Sequence, residues 1–221
     1  MASCSDVVGY RPYLDASSDL LEGKETVSTG MRQEGDRARE AVKRAREGRR
    51  VALVSSGDAG VYGMAGLALE IVSEQGAAKE IDIEIVPGVT ASCAAAAALG
   101  SPLSLDFATI SLSNLLVPWE KVERRLDAVG AADLVVALYN PRSRNRPGHL
   151  EKALAILSRH RPPSTRCGIV REAGSDDERA VQCTLGSFPC EVVDMKSLVV
   201  VGNSESVLLD GRLVNPRGYR K

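Results

Sequence analysis

The chain has 221 residues, 44% of them apolar and 4% aromatic, with 28 basic against 29 acidic side chains and a net charge of −1. That balance carries no global field to draw in nucleic acid or an anionic membrane, and the apolar share is that of a globular protein in one large domain or two smaller ones. There is no run of eighteen apolar residues, no signal-peptide hydrophobic region in "MASCSDVVGYRPYLD" and no CxxC among five scattered cysteines; with only two histidines, the expectation is a reduced, cytoplasmic protein without a metal site.

"EGDRAREAVKRAREGRR" (34–50) sets Ala38, Ala41, Val42 and Ala45 at helical spacing and stops at Gly48. Its mixed charges read as the solvated face of a helix rather than a nucleic-acid surface. A strand, "RVALVSS", follows, then the glycine-rich loop "SSGDAGVYGMAG" (55–66) and a helix from about 61 to 75. "IDIEIVPG" (81–88) alternates as a strand does, and "VTASCAAAAALG" (89–100) reads as a short, tightly packed helix ending at Gly100. This strand–helix alternation predicts parallel pairing with crossover helices. Composition then shifts. "SPLSLDFATISLSNLLVPWE" (101–120) is extended, holds the only tryptophan, and reads as the crossing between two α/β domains, 1–108 and 109–221. The second is expected to contain a helix in "VPWEKVERRLDAVG", a strand in "DLVVALYNP" and a helix in "GHLEKALAILSRH", then strands in "TRCGIVREAG", "SFPCEVVDM" and "SLVVVGNSES". The runs "VALV", "IEIV", "LVVAL", "CGIV" and "LVVVG" each stop at a loop containing Gly, Pro, Ser or Glu. Ligands of open α/β sheets lie beyond the carboxyl ends of the strands, so these loops are expected to wall one ligand.

The loop 55–66 is the sharpest local signal. Glycine loses more backbone entropy on folding than any other residue, so its clustering after an apolar run needs a reason. "GDAGVYG" fits neither phosphate-cradling pattern, and no lysine follows. A purely structural turn and the close approach of a ligand both fit the glycines. Asp58 after the strand end suits a hydroxyl-rich or cationic small molecule better than a phosphate.

Five blocks, "SSGDAGVYGMAG", "IEIVPGVTASCAAAAALGSPLSLDFATISLSNLLVPWE", "VALYNPRSRNRP", "GIVREAGSDDE" and "LVVVGNS", occur in the order found in the tetrapyrrole methylases, which this chain resembles over almost its whole length. These are the S-adenosylmethionine-dependent enzymes of siroheme and cobalamin synthesis. "VVGYRPYLD", "ISLSNLLVPWE" and "LYNPRS" are most similar to the branch that methylates C17 of precorrin-3B or its cobalt complex with ring contraction. The resemblance implies two α/β domains with a cofactor cleft between them, and a homodimer. By family position it implies that Asp58, Val61, Thr90, Ala91, Tyr139, Ala173 and Val201 lie along the cofactor. A sulfonium, a ribose diol and an adenine call for small residues, backbone donors and apolar walls, in keeping with these loops.

Precorrins carry many carboxylate arms, and the planar fork of arginine binds carboxylates bidentately. Arg142, Arg144 and Arg146 of "NPRSRNR", joined by Arg11 of "GYRPY", are the expected substrate contacts, against the alternative of a polar surface loop. Trp119 suits a core anchor as well as a macrocycle contact. His149 and His160 read as surface residues. Methyl transfer from a sulfonium needs alignment more than side-chain chemistry, but ring contraction needs proton movements, for which Ser111, Asn114, Glu120 and Glu172 are the candidates. The chain departs from the family in two places. A strand and a G-x-G-P-G loop expected ahead of "VVGYRPYL" are not in the sequence given, and Asn114 stands where an aspartate is expected. The alternatives are therefore a sister methylase acting at another ring carbon, and an inactive tetrapyrrole-binding descendant.

Overall fold

The computed structural model of the chain describes residues 1, 3–143 and 145–219. It divides into two compact units, Met1–Thr90 and Ala91–Lys221. Composition alone puts the boundary at 108/109. The division falls earlier because Ala95 and Leu99 of the alanine helix pack into the core of the second unit, beside Val135, Ala137 and Val200.

The first unit runs through β1 (Asp6–Tyr10), α1 (Arg11–Asp15), β2 (Glu25–Thr29), α2 (Glu34–Arg46), β3 (Val51–Leu53) and α3 (Ala65–Glu74). Its sheet has the order β2-β1-β3, with both pairings parallel and Tyr10 opposite Thr29. The central strand is short and apolar, and Val7 and Val8 are fully buried. Gly9 is needed where it stands, because a Cβ there would meet the Leu14 side chain at 2.7 Å as α1 folds back. The apolar stripe of α2 buries Ala38 and Val42 with Ile71 and Val72 of α3. Gly48 takes a left-handed φ of 83° just after α2. Asp6, fully buried at the start of β1, accepts hydrogen bonds from Arg44 at 2.5 Å and Arg49 at 2.7 Å, which ties the strand to the end of α2 and the segment after it.

The second unit contains α4 (Ala91–Leu99), β4 (Gly100–Ser101), β5 (Phe107–Ser111), α5 (Trp119–Ala131), β6 (Val135–Tyr139) and α6 (His149–Leu157). After these come β7 (Arg166–Arg171), β8 (Arg179–Thr184), β9 (Ser197–Val201), β10 (Val207–Leu209) and β11 (Arg212–Val214). The main sheet has the order β5-β6-β9-β7-β8. Only β5 and β6 pair in parallel, and β9 runs antiparallel between β6 and β7. Both faces are covered, as the side-chain alternation of β6 shows. Val136 and Leu138 face Leu126, Leu150 and Leu157 of α5 and α6, while Val135 and Ala137 face α4. Each fully buried leucine contributes about 1.5–3 kcal/mol. Gly168 leaves room for Leu99, whose Cδ1 would stand 2.4 Å from a Cβ there. A small sheet, β10-β11-β4, completes the unit.

Three expectations change. The helix read from about residue 61 begins at Ala65, because Tyr62 holds a left-handed φ of 55° in the loop ahead of it. The alternating run 81–88 forms no strand, and Ile85 and Val86 are 47% and 66% exposed. "SFPCEVVDM" forms short 3-10 turns around Pro189, and the edge position beside β7 is taken by β8, whose polar sequence carried no strand signal.

Candidate cofactor and substrate sites

The carboxylate of Asp58 accepts the amide of Gly60 at 2.8 Å and that of Gly88 at 2.9 Å. Those backbone bonds, Gly88's first, then Gly60's, hold its carboxyl below the ordinary 3.8. The glycines around it serve the crossing of two chain segments. A Cβ on Gly88 would sit 2.2 Å from the carbonyl oxygen of Gly57, and one on Gly63 would sit 2.6 Å from that of Ala59. Part of the glycine signal is thus main chain against main chain. Val61 lies in the same loop, its amide donating to the Asp58 carbonyl at 3.2 Å, and Thr90 is half-buried ahead of α4.

In the second unit, Ala91, Tyr139 and Ala173 pack on one apolar cluster with Ala95, Leu99 and Leu198. The phenol oxygen of Tyr139 accepts the Ser92 amide at 2.9 Å. Ser92 is fully buried and its hydroxyl has no hydrogen-bond partner among the described residues. An orphaned buried hydroxyl is costly unless a ligand or water meets it. With the apolar wall beside it at the start of α4, it fits a small organic cofactor bearing polar groups. Val201 is elsewhere. Because β9 runs against its neighbours, Val201 pairs with Val136 and Cys167, while Leu138 pairs with Val199 and Arg171 with Ser197. Val201 is fully buried at the far end of the sheet from Tyr139 and Ala173. The rule of a shared carboxyl edge holds for β6 and β7 and not for the strand between them.

The acid–base candidates fall in three settings. The Ser111 hydroxyl accepts from the Asn140 side-chain amide at 3.0 Å, and Asn140 itself holds a left-handed φ of 52° just past β6. Glu172, with φ 49°, ion-pairs with Lys196 and with Arg171 (2.7 Å). The Lys196 ammonium in particular holds its carboxyl below the ordinary 4.5. Asn114 and Glu120 are exposed. Asn140 and Lys196 escaped the sequence reading, although Asn140 follows a strand directly, where a residue tolerant of left-handed φ is expected.

Arg142 ion-pairs with Glu151, and Arg146 donates to the Asn140 carbonyl at 3.4 Å and reaches the Met195 sulfur at 3.8 Å. Arg144 lies outside the described residues. Arg11 belongs to the first unit and lines a groove of about 400 Å³ at the carboxyl ends of β1 and β2. Trp119 does double duty: it packs on the core of α5 and α6 and stacks on His149 with ring centres 4.2 Å apart. The His149 Nδ1 stands 2.8 Å from the Leu112 carbonyl, and His160 bonds Asp127 at 2.8 Å, so both histidines brace helices.

The sequence profile of the Tetrapyrrole (Corrin/Porphyrin) Methylases matches residues 2–189. A relative from Salmonella typhimurium, named as a probable cobalt-factor III C(17)-methyltransferase, is 47% identical over 96% of this chain and 88% of its own length. A cobalt-factor III methyltransferase of Priestia megaterium is 43% identical over 97% of this chain, which spans 40% of that longer protein. Among solved structures, that of the methyltransferase CobJ matches with a TM-score of 0.92 at 38% identity, covering 97% of this chain and 90% of that one.

Proposed function

Because the chain belongs to the tetrapyrrole (corrin/porphyrin) methylases, we propose that it transfers a methyl group from S-adenosylmethionine to C17 of a precorrin-3-type macrocycle, with ring contraction, in cobalamin biosynthesis. The observation that carries this reading is the 47% identity to the Salmonella typhimurium relative, sustained over 96% of this chain and 88% of the other. The same likeness favours the cobalt-bearing macrocycle over metal-free precorrin-3B. No helix among the described residues is long and apolar enough to cross a membrane.

S-adenosylmethionine, when bound, supplies an activated methyl group. In the second unit Ala91, Tyr139 and Ala173 would give it an apolar wall, and the Ser92 hydroxyl a polar partner. In the first unit Asp58 keeps the loop of Val61 in shape, with its carboxylate committed to backbone amides, and Thr90 precedes α4. Arg142, now paired with Glu151, and Arg146, now donating to the Asn140 carbonyl, share one loop and would exchange these partners for substrate carboxylates. The Ser111 hydroxyl, oriented by the Asn140 amide that donates to it, is suited to pass a proton. Glu172, held as a carboxylate by Lys196 and Arg171, is suited to orient rather than to protonate.

The test is incubation with cobalt-factor III or precorrin-3B and S-adenosylmethionine labelled with carbon-13 in its methyl group, read by mass spectrometry and NMR. A labelled methyl at C17 is expected. Label at another ring carbon would make the chain a sister methylase, and binding of both ligands without transfer would make it an inactive descendant.

A further inference from the structure

A buried cation stands behind the wall of the groove at the ends of β1 and β2. Among the described residues the groove's lining includes Tyr10, Arg11, Ser28, Thr29 and Gly30, and no acidic residue. Behind that wall lies Arg37 of α2, 3% exposed. Its Nε donates to the Thr29 hydroxyl at 2.7 Å and its Nη2 to the Gly30 carbonyl at 3.0 Å, and Nη1 reaches the Met64 sulfur at 3.8 Å. The guanidinium lies 5.6 Å from the centre of the Tyr10 ring. Among the described residues it ion-pairs with no carboxylate.

The other buried arginine among the described residues, Arg161, gives the contrast. It is 4% exposed and donates to the carbonyls of Gly202, Val201 and Leu134, acceptors inside its own unit where Gly202 is buried. Two of Arg37's three partners, Thr29 and Gly30, instead form the wall of an open groove, and Gly30 is exposed. Burying a charge without an opposite charge is unfavourable, and an anion drawn close relieves it. The carboxyl ends of parallel strands are where such sheets take ligands. Arg11, exposed at the rim, supplies the fork that pairs with a carboxylate.

We infer that this groove receives a carboxylate arm of the substrate, with Arg11 in contact and Arg37 as the positioning residue that fixes Thr29 and Gly30 from behind. The inference rests on the tetrapyrrole reading above and adds to it a subsite in the first unit. It is tested with two stable porphyrins as probes: uroporphyrin, and coproporphyrin, which has the same ring and fewer carboxylates. Binding is followed by the change in porphyrin absorbance.

The unaltered chain is expected to prefer uroporphyrin. Arg11→Gln and Arg37→Met should each cut that preference roughly tenfold, the effect of one charge-assisted hydrogen bond, while coproporphyrin and S-adenosylhomocysteine binding hold. Arg37→Lys, which keeps the cation, should restore part of the preference; a merely structural Arg37 would shift the melting point and leave the ratio alone. An unchanged ratio in Arg11→Gln and Arg37→Met overturns the inference and leaves the tetrapyrrole reading standing. Failure of the unaltered chain to bind either porphyrin overturns the inference, while the labelled-methyl transfer described above decides the tetrapyrrole reading separately. Should Arg37→Met fail to fold, Thr29→Val takes its place, with the same expected loss of preference.

Discussion

Asp58 and Gly88 stand thirty positions apart, and the carboxylate of the first accepts the amide of the second at 2.9 Å. The loop after β3 and the turn ahead of α4 are therefore one hydrogen-bonded body. Asp58→Asn keeps the size of the side chain and loses the charge, so it should lower the thermal midpoint by roughly 2–5 °C. Asp58→Ala should lower it further. Calorimetric scans of the three proteins check the order, and equal midpoints would show that the carboxylate bonds contribute nothing.

Gly88→Ala should be far more damaging than its size suggests. The new Cβ would meet the Gly57 carbonyl oxygen at 2.2 Å, and the obstruction is backbone that cannot rotate away. A loss of about 1–3 kcal/mol is expected. Gly66→Ala in α3 meets nothing within 4 Å and should be neutral or stabilise by up to about 1 kcal/mol. Urea midpoints of the two variants measure the contrast.

Acid stability should depend on Asp6. Burial pushes its carboxyl up, but hydrogen bonds from Ser5, Arg49 and Arg44 outweigh that and hold it at about 2, below its ordinary 3.8. A carboxyl with a depressed folded value stabilises the protein above pH 3.8, and the contribution disappears as pH falls from 3.8 towards 2. Asp6→Asn should lose stability at neutral pH and show a flatter decline across that window. Denaturant midpoints from pH 2 to pH 7 decide it, and parallel curves for the two proteins would remove Asp6 from the account.

The cysteines should separate by burial. Cys93 is exposed, whereas burial pushes the Cys167 thiol up to about 12 and that of Cys183 to about 11. Thiolate is the reactive form, so at pH 8 a disulfide reagent should label Cys93 quickly and leave Cys167 and Cys183 unlabelled until denaturant is added. Rapid labelling of Cys167 in the native protein would show that β7 opens.

Tyr139→Phe tests the cofactor wall with little change in bulk. It removes the acceptor of the Ser92 amide, leaving that amide and the Ser92 hydroxyl both unpartnered. S-adenosylhomocysteine should bind about 5–30-fold more weakly by calorimetry. Unchanged affinity would move the cofactor away from the start of α4.

How far the sequence carries depends on what each element is made of. α2, α4, α5 and α6 are legible because apolar spacing and bounding glycines or prolines mark them, as at Gly48 and Pro118. β6 and β9 show as unbroken apolar runs because both faces of their sheet are covered. β8 does not show, since "RAVQCT" is a largely exposed edge strand whose only strand partner among the described residues is β7. Residues 81–88 show the reverse case: the alternation is present, but no pairing among the described residues turns it into a strand. At the site, Asp58 and Tyr139 stand out by motif. Ser92, Arg37 and Asn140 do not, because a buried hydroxyl, a cation without an acidic partner and a left-handed φ are properties of the folded neighbourhood.

Val199 pairs with Leu138 on one side and with Ile169 on the other, so the centre of the second sheet is synthesised after the four strands that flank it. Until β9 leaves the ribosome, β5–β6 and β7–β8 can exist only as two half-sheets, each with an open apolar edge. Such edges invite pairing with the wrong chain, and closing them requires partners far apart in sequence. The second unit is therefore exposed to aggregation for as long as translation of its final strands takes. Slower elongation over 140–200, or a scarcity of chaperones that cover exposed edges, would reduce soluble yield without altering the stability of the finished protein.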